Sequence, residues 1–232
     1  MFYLANCGDY NPYHLLFFMI GCFKTVDNGS SPIPYYYPSE PYCALRESAL
    51  THLPARFQRT IGNEPPGIGK YQWVLTRNDF LYVRDLYTSI WASTQRQRGK
   101  YTYISRKNSI RRRILNEPEM LDDLITLGFD IIYIEELSFE QQIRLFRESE
   151  IITGPHGAAF SFAIFCEPAT ILYEIYPLFG MKGHFVALAH DCSLRYMRCL
   201  DIVSFNKDTE DMVVNKDLYI ESLRNLICSL SV

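Results

Sequence analysis

Beyond residue 100 the chain alternates between short β-forming apolar runs and stretches with helical spacing, and this alternation limits its fold more than any other feature. Apolar runs at 101–104 (YTYI), 130–134 (DIIYI), 151–153 (IIT) and 170–175 (TILYEI) are each separated by a segment long enough for a helix. Strands joined in this way cannot form tight hairpins. They connect by right-handed crossovers into a parallel sheet covered on both faces, which predicts an α/β fold. Helix punctuation supports the pattern. Asn116 with Glu119 has the spacing of a capping box, and Gly128 follows as the residue that ends that helix. Ser138 with Gln141 repeats the box and opens an amphipathic helix to Glu148. A helix at 184–191, a strand at 194–200 and a helix at 217–230, apolar along Tyr219, Leu223, Leu226, Ile227 and Leu230, complete this half.

The first half reads β-α-β-α-β-α. A strand at 2–5 leads through a turn at 8–12 into an apolar helix starting near Tyr13. A strand at 33–37 and a helix at 41–53 follow. After a Gly/Pro loop at 62–69 come a short apolar run at 71–76 and a helix at 79–91 marked by Leu81, Leu86 and Ile90. The polar, basic stretch 94–100 (TQRQRGK) has no apolar residue and reads as a linker. Two Rossmann-like domains are expected, 1–97 and 98–232, with the terminal helix able to return to the first.

A chain of 232 residues with 48% hydrophobic and 15% aromatic content has enough apolar material for a sizeable core. Its formal charge of −3 gives no general attraction to nucleic acid or anionic membrane, so an anionic ligand must be held by local basic residues. The seven cysteines are odd in number, scattered and free of CxxC pairs. They read as reduced thiols in a cytosol-like compartment, without zinc-ligand spacing. The apolar run 15–23 is too short to span a bilayer and lacks the basic flank of a signal peptide, so no membrane segment is expected within the chain. A targeting segment trimmed before Met1 stays open.

The chemistry concentrates in 150–165 (EIITGPHGAAFSFAIF), where a strand run meets His156 between Gly154 and Gly157, ahead of a small-residue helix start. In open α/β sheets ligands bind outside the carboxyl ends of the strands, and a helix N-terminus offers free N–H groups to phosphate. A plain βα turn whose His caps a helix is the other reading. The loop 105–113 (SRKNSIRRR) supplies five positive charges, and arginine suits bidentate contact with a diphosphate. A solvated charged face is the alternative there. Glu174, at a strand end beside the crevice, is placed like the acidic residue that binds ribose hydroxyls in nucleotide folds.

Taken in order, these blocks resemble glycosyltransferase family 61. The family's S-R loop with a following R-R-I-x-N-E falls on Ser105-Arg106 and on Arg112-Arg113-Ile114 with Asn116-Glu117. Its L-S-x-x-E-Q-I helix falls on 137–143, its G-x-H-G-A turn on 154–158, and its strand ending E-x-x-P on Glu174 and Pro177. The resemblance covers about 101–177. In the first half NCGDYNPYHLLFF and YVRDLY are the matching blocks. It implies a GT-B fold of two facing Rossmann-like domains with parallel sheets, donor on the C-terminal one and acceptor mainly on the N-terminal one. The implied activity is inverting transfer from a nucleotide sugar, most often a uridine diphosphate (UDP) sugar such as xylose or N-acetylglucosamine, to a glycan or glycoprotein. The motif positions Ser105, Arg106, Arg112, Asn116, Glu117, Gln142, Gly154, His156, Gly157, Ala158 and Glu174 become donor-site candidates. Arg106 and Arg112 are assigned to the diphosphate, His156 and the Gly157 and Ala158 amides to its cap, and Glu174 to the ribose.

Neither metal nor cofactor is expected, since no D-x-D carboxylate pair is present; Asp122-Asp123 and Glu135-Glu136 lie in a helix and at a helix entrance. An inverting transfer needs a base on the acceptor side. The turn 8–14 offers His14, substantially neutral at pH 7, with Asp9 either orienting it or serving as the base itself. A non-catalytic carbohydrate-binding or assembly protein on the same fold is the rival reading. A dinucleotide oxidoreductase is disfavoured because no G-x-G-x-x-G follows an expected strand.

Overall fold

A computed structural model describes residues 2–3, 16, 24, 27–36, 44–60, 77–176 and 183–230. His14, Asp9 and Pro177, the loop 62–69 and the run 71–76 lie outside the described residues. In chain order the elements are β1 (Phe2–Tyr3), β2 (Ile33–Tyr36), α1 (Ala44–Thr51), β3 (Phe57–Thr60), α2 (Arg77–Leu86), α3 (Thr88–Trp91), β4 (Tyr101–Ser105), α4 (Leu121–Thr126), β5 (Phe129–Tyr133), α5 (Phe139–Glu148), β6 (Ile151–Pro155), β7 (Ile171–Ile175), α6 (His184–Asp191), β8 (Arg195–Cys199), β9 (Ile202–Phe205), β10 (Met212–Val214) and α7 (Lys216–Ser229). Among the described residues no helix is long and apolar enough to cross a membrane.

β1, β2 and β3 form a small parallel sheet. The main sheet is five-stranded and wholly parallel, in the order β5-β4-β6-β7-β8. Numbered by appearance this is 2-1-3-4-5, a Rossmann-like order whose direction reverses between β4 and β6. Handedness explains where the helices lie. The leftward step from β4 to β5 carries α4 on one face, and the rightward steps carry α5, the 158–165 segment and α6 on the other. Strand side chains alternate between the two cores accordingly. Ile104, Ile152 and Leu172 join Phe139, Phe146, Phe162 and Leu188 on one face. Tyr103, Ile151, Ile171, Tyr173 and Ile175 join Leu124 and α7 residues Tyr219, Leu223 and Leu226 on the other. The terminal helix therefore buries its apolar face on the five-stranded sheet.

The central strands β6 and β7 are buried at every position, whereas the edge strands β5 and β8 expose Asp130 and Arg195. Charge at an edge discourages pairing with another chain. Helices before residue 97 share the first core: Ala49, Val83 and Ile90 pack in the same cluster as Phe139 and Phe160. The stretch 94–100 is irregular, and it docks through Gln97 N–H to the Glu148 carbonyl at 2.8 Å and Arg147 Nε to the Thr94 carbonyl at 3.0 Å.

Several local expectations change. The stretch 158–165, expected to be α-helical, is a 3-10 helix. Residues 159–165 are all buried, so packing around the whole circumference, rather than an amphipathic stripe, sets its form. The Asn116–Glu119 capping box does not form. Asn116 instead brackets Val214, donating to its carbonyl at 2.9 Å and accepting from its N–H at 3.0 Å, and the segment opens as a short 3-10 turn over Glu117–Glu119. The Ser138–Gln141 box is present. Helix 79–91 is divided at Tyr87, and β3 and the β9–β10 hairpin are additional.

Candidate donor site

The crevice at the β4/β6 switch point is lined by Ser105, Arg106, Glu135, Pro155, Gly157 and Phe160, among others. Two glycines let its walls close. Gly154 sits at φ +150°, and a Cβ there would lie 2.4 Å from the Ile104 carbonyl oxygen, so β4 and β6 approach too closely for a side chain. At Gly157 a Cβ would lie 2.5 Å from Arg106 Nη1. The guanidinium thus lies on the Gly157 backbone where the 3-10 helix begins at Ala158.

Arg106 is held there by weak bonds from Nε and Nη2 to the Arg111 carbonyl, at 3.3 and 3.2 Å. Among the described residues it makes no ion pair, and burial, followed by the charge of Arg112, lowers its pKa from the usual arginine value. A partly buried cation without a carboxylate partner is a costly arrangement that an anionic ligand would relieve.

The other arginines differ. Arg112, at φ 61°, donates from Nε to Glu210 at 2.6 Å, and Arg111 reaches the same carboxylate at 3.5 Å. Arg113 grips Asp211 with Nη2 at 2.6 Å and Nε at 3.2 Å. That pairing, with further donors to the carboxylate, holds the Asp211 pKa down at about 2. The partners sit 98 residues away, on the turn between β9 and β10. There Asn206 Oδ1 accepts from the N–H groups of Asp208 and Thr209. The polar run NKDTED between IVSF and MVV carried a hairpin signal; nothing local marked its acids as arginine partners.

His156 and Glu174 are joined through Nδ1 and Oε1, both side chains nearly buried. The second carboxylate oxygen, Oε2, accepts from the Tyr196 hydroxyl. Glu174, expected at the ribose, thus has both oxygens committed within the protein. His156 also donates its backbone N–H to the Ile175 carbonyl at 3.0 Å and packs on the rings of Tyr176 and Phe185, at centroid distances of 4.5 and 5.2 Å.

The remaining candidates brace the walls. Glu117 is buried and accepts from Tyr103 Oη at 2.7 Å and Ser105 Oγ at 2.8 Å, which ties the end of β4 to the basic loop. Gln142 donates from Nε2 to the carbonyls of Ile134 and Leu137, at 3.1 and 3.0 Å, and supports the turn that carries Glu135. Among the described residues no group of three or more His, Cys, Asp or Glu side chains could hold a metal ion.

A wholly parallel five-stranded sheet of this order, with a crevice at its switch point, defines a Rossmann-like α/β protein. Residues 48–173, more than half of the chain, match the sequence model described as Glycosyltransferase 61. The chain belongs to the glycosyltransferase 61 family. A stretch of 83 residues is 31% identical to the EGF domain-specific O-linked N-acetylglucosamine transferase of Drosophila melanogaster, covering 34% of this chain and 16% of that protein. The match therefore spans well under two thirds of the relative's length.

Proposed function

We propose that this chain is an inverting, metal-independent glycosyltransferase that takes a sugar from a UDP-type donor, xylose or N-acetylglucosamine, to a glycan or glycoprotein acceptor. The donor diphosphate lies in the β4/β6 crevice. Arg106 contacts it across Gly157, the amides at the start of the 158–165 helix cap it, and His156 closes the far side. The observation that carries this reading is Arg106, a guanidinium seated against a glycine at the switch point and paired with no carboxylate among the described residues. Cationic and N–H donors fixed in place neutralise a leaving diphosphate without reorganising, as a metal does elsewhere. The named activity of the Drosophila relative supports the choice of sugar class. In this reading the chain adopts the two-domain GT-B arrangement, and the base comes from the N-terminal half, with His14 preferred and Asp9 orienting it or replacing it.

Calorimetric titration with UDP, with and without EDTA, tests the proposal. Binding is expected in both conditions. Arg106→Ala is expected to weaken it by roughly ten- to a hundredfold, the loss of one charge-assisted contact of about 1.5–3 kcal/mol. Absence of binding at millimolar UDP, or binding only with added metal, overturns the proposal. UDP binding without turnover of any nucleotide sugar would favour a carbohydrate-binding protein on the same fold.

A further inference from the structure

The crevice has an acidic wall as well as a basic one. Ser105 is paired in register with Tyr133, so the chain leaves β4 and β5 at the same level of the sheet. Arg106 follows β4, and Glu135 follows β5 within the turn Ile134–Glu136; both line the crevice. No ion pair joins the two among the described residues, yet the Glu135 charge is near enough to act on the guanidinium. The acidic turn is braced from two directions. The buried Gln142 donates to the carbonyls of Ile134 and Leu137 on either side of it, and Asn108 Nδ2, from the basic loop, donates to Glu135 Oε1 at 2.9 Å. Glu135 Oε2 has no hydrogen-bond partner among the described residues.

We infer that Glu135 is the residue that recognises the ribose of the nucleotide, accepting a hydrogen bond from one of its hydroxyls through Oε2. The inference rests on the proposed donor site. A carboxylate accepts hydrogen bonds and donates none, so Glu135 repels phosphate and suits a ligand group that carries O–H. Opposite charges on one crevice therefore sort the ligand, with the diphosphate at Arg106 and a hydroxyl-bearing neighbour at Glu135. Topology says which neighbour. In Rossmann-like folds a carboxylate further along the same βαβ unit binds the ribose hydroxyls, and Glu135 closes the unit β4-α4-β5. Glu174, the other acidic candidate, has its two oxygens engaged by His156 and Tyr196. The adjacent Glu136 is also exposed but does not line the crevice, so the recognition belongs to one member of the acidic pair.

Calorimetry with UDP and its 2′-deoxy and 3′-deoxy analogues tests this on wild type, Glu135→Ala and Glu136→Ala. Affinity ratios are the readout, because removing a negative charge beside Arg106 strengthens the binding of all three diphosphates alike and cancels in the ratio. Wild type is expected to bind UDP roughly ten- to a hundredfold more tightly than at least one analogue, the worth of a hydrogen bond to a charged group. In Glu135→Ala that preference is expected to shrink to within about threefold, less than one neutral hydrogen bond. Glu136→Ala is expected to keep the wild-type ratio. Melting curves check that both variants are folded. Equal binding of the three ligands by wild type overturns the inference whether or not the variants fold. So does a wild-type preference retained in Glu135→Ala, or one lost as fully in Glu136→Ala. If wild type binds UDP but ignores the ribose hydroxyls, the donor site stands and only the role of Glu135 falls. If it binds no UDP at millimolar concentration, the donor-site reading fails and takes the inference with it.

Discussion

Gly157→Ala separates ligand binding from folding. The added methyl would sit 2.5 Å from Arg106 Nη1, 3.3 Å from its Cζ and 3.5 Å from its Cδ. Ordinary carbon contact begins near 3.5 Å, so the guanidinium must retreat by about 1 Å. The backbone does not resist, because Gly157 is extended at φ −169°, which any residue adopts. Nor does packing, since the obstructing atoms end a flexible side chain whose bonds to the Arg111 carbonyl are already long. The folding cost is expected to stay within about 0.5 kcal/mol, as for a substitution outside a rigid core. Binding is different. A charged contact displaced by about 1 Å loses most of its hydrogen bond, so UDP affinity is expected to drop on the order of tenfold or more. Gly154→Ala is the control of opposite kind, because its methyl meets the Ile104 carbonyl at 2.4 Å at a φ of +150°. Backbone cannot swing aside, and a destabilisation of at least about 2 kcal/mol is expected. Thermal melting and UDP calorimetry on both variants read the two effects. If Gly157→Ala melts as early as Gly154→Ala, or binds UDP like wild type, Arg106 is not a ligand contact resting on that glycine.

Gln142→Ala is expected to lower stability by about 1–3 kcal/mol, because the Ile134 and Leu137 carbonyls lose a buried donor; chemical denaturation reads this. Asp211→Asn tests the hairpin latch by its pH dependence. A carboxylate whose folded pKa is depressed to about 2 contributes stability that is complete above its unfolded value near 3.9 and is lost as pH falls toward 2. The wild-type advantage in melting temperature over Asp211→Asn should therefore shrink between about pH 4 and pH 2 and hold constant between about pH 5 and pH 7. For the proposed base, His14→Ala is expected to reduce turnover by about 10²–10⁴-fold while UDP affinity persists; near-normal turnover in that variant with loss in Asp9→Asn assigns the base to Asp9.

Features that depend on near neighbours were legible in the residues. The apolar runs around 101–104, 130–134 and 170–175 are strands, and helix 184–191 has the expected bounds. The Ser138–Gln141 box closes within one helical turn, so four residues suffice to specify it. Alternation of such elements was enough to require a parallel sheet, and the Gly-Pro-His-Gly segment was enough to mark a strand-to-helix crossing there. Tertiary structure decided which groups meet there. Strand order alone sets the end of β4 beside the end of β6, and so Arg106 against Gly157. Asn116 had the spacing of a cap but bonds Val214, and Arg112 had the type of a phosphate ligand but pairs with Glu210, each across 98 residues. Glu174 stood where a ribose ligand is expected, yet a histidine 18 residues before it and a tyrosine 22 after it take both oxygens. The physical reason is that loop-closure entropy rises only slowly with length. A side chain therefore bonds whichever partner the sheet delivers, at almost any separation, and no window of sequence records the choice.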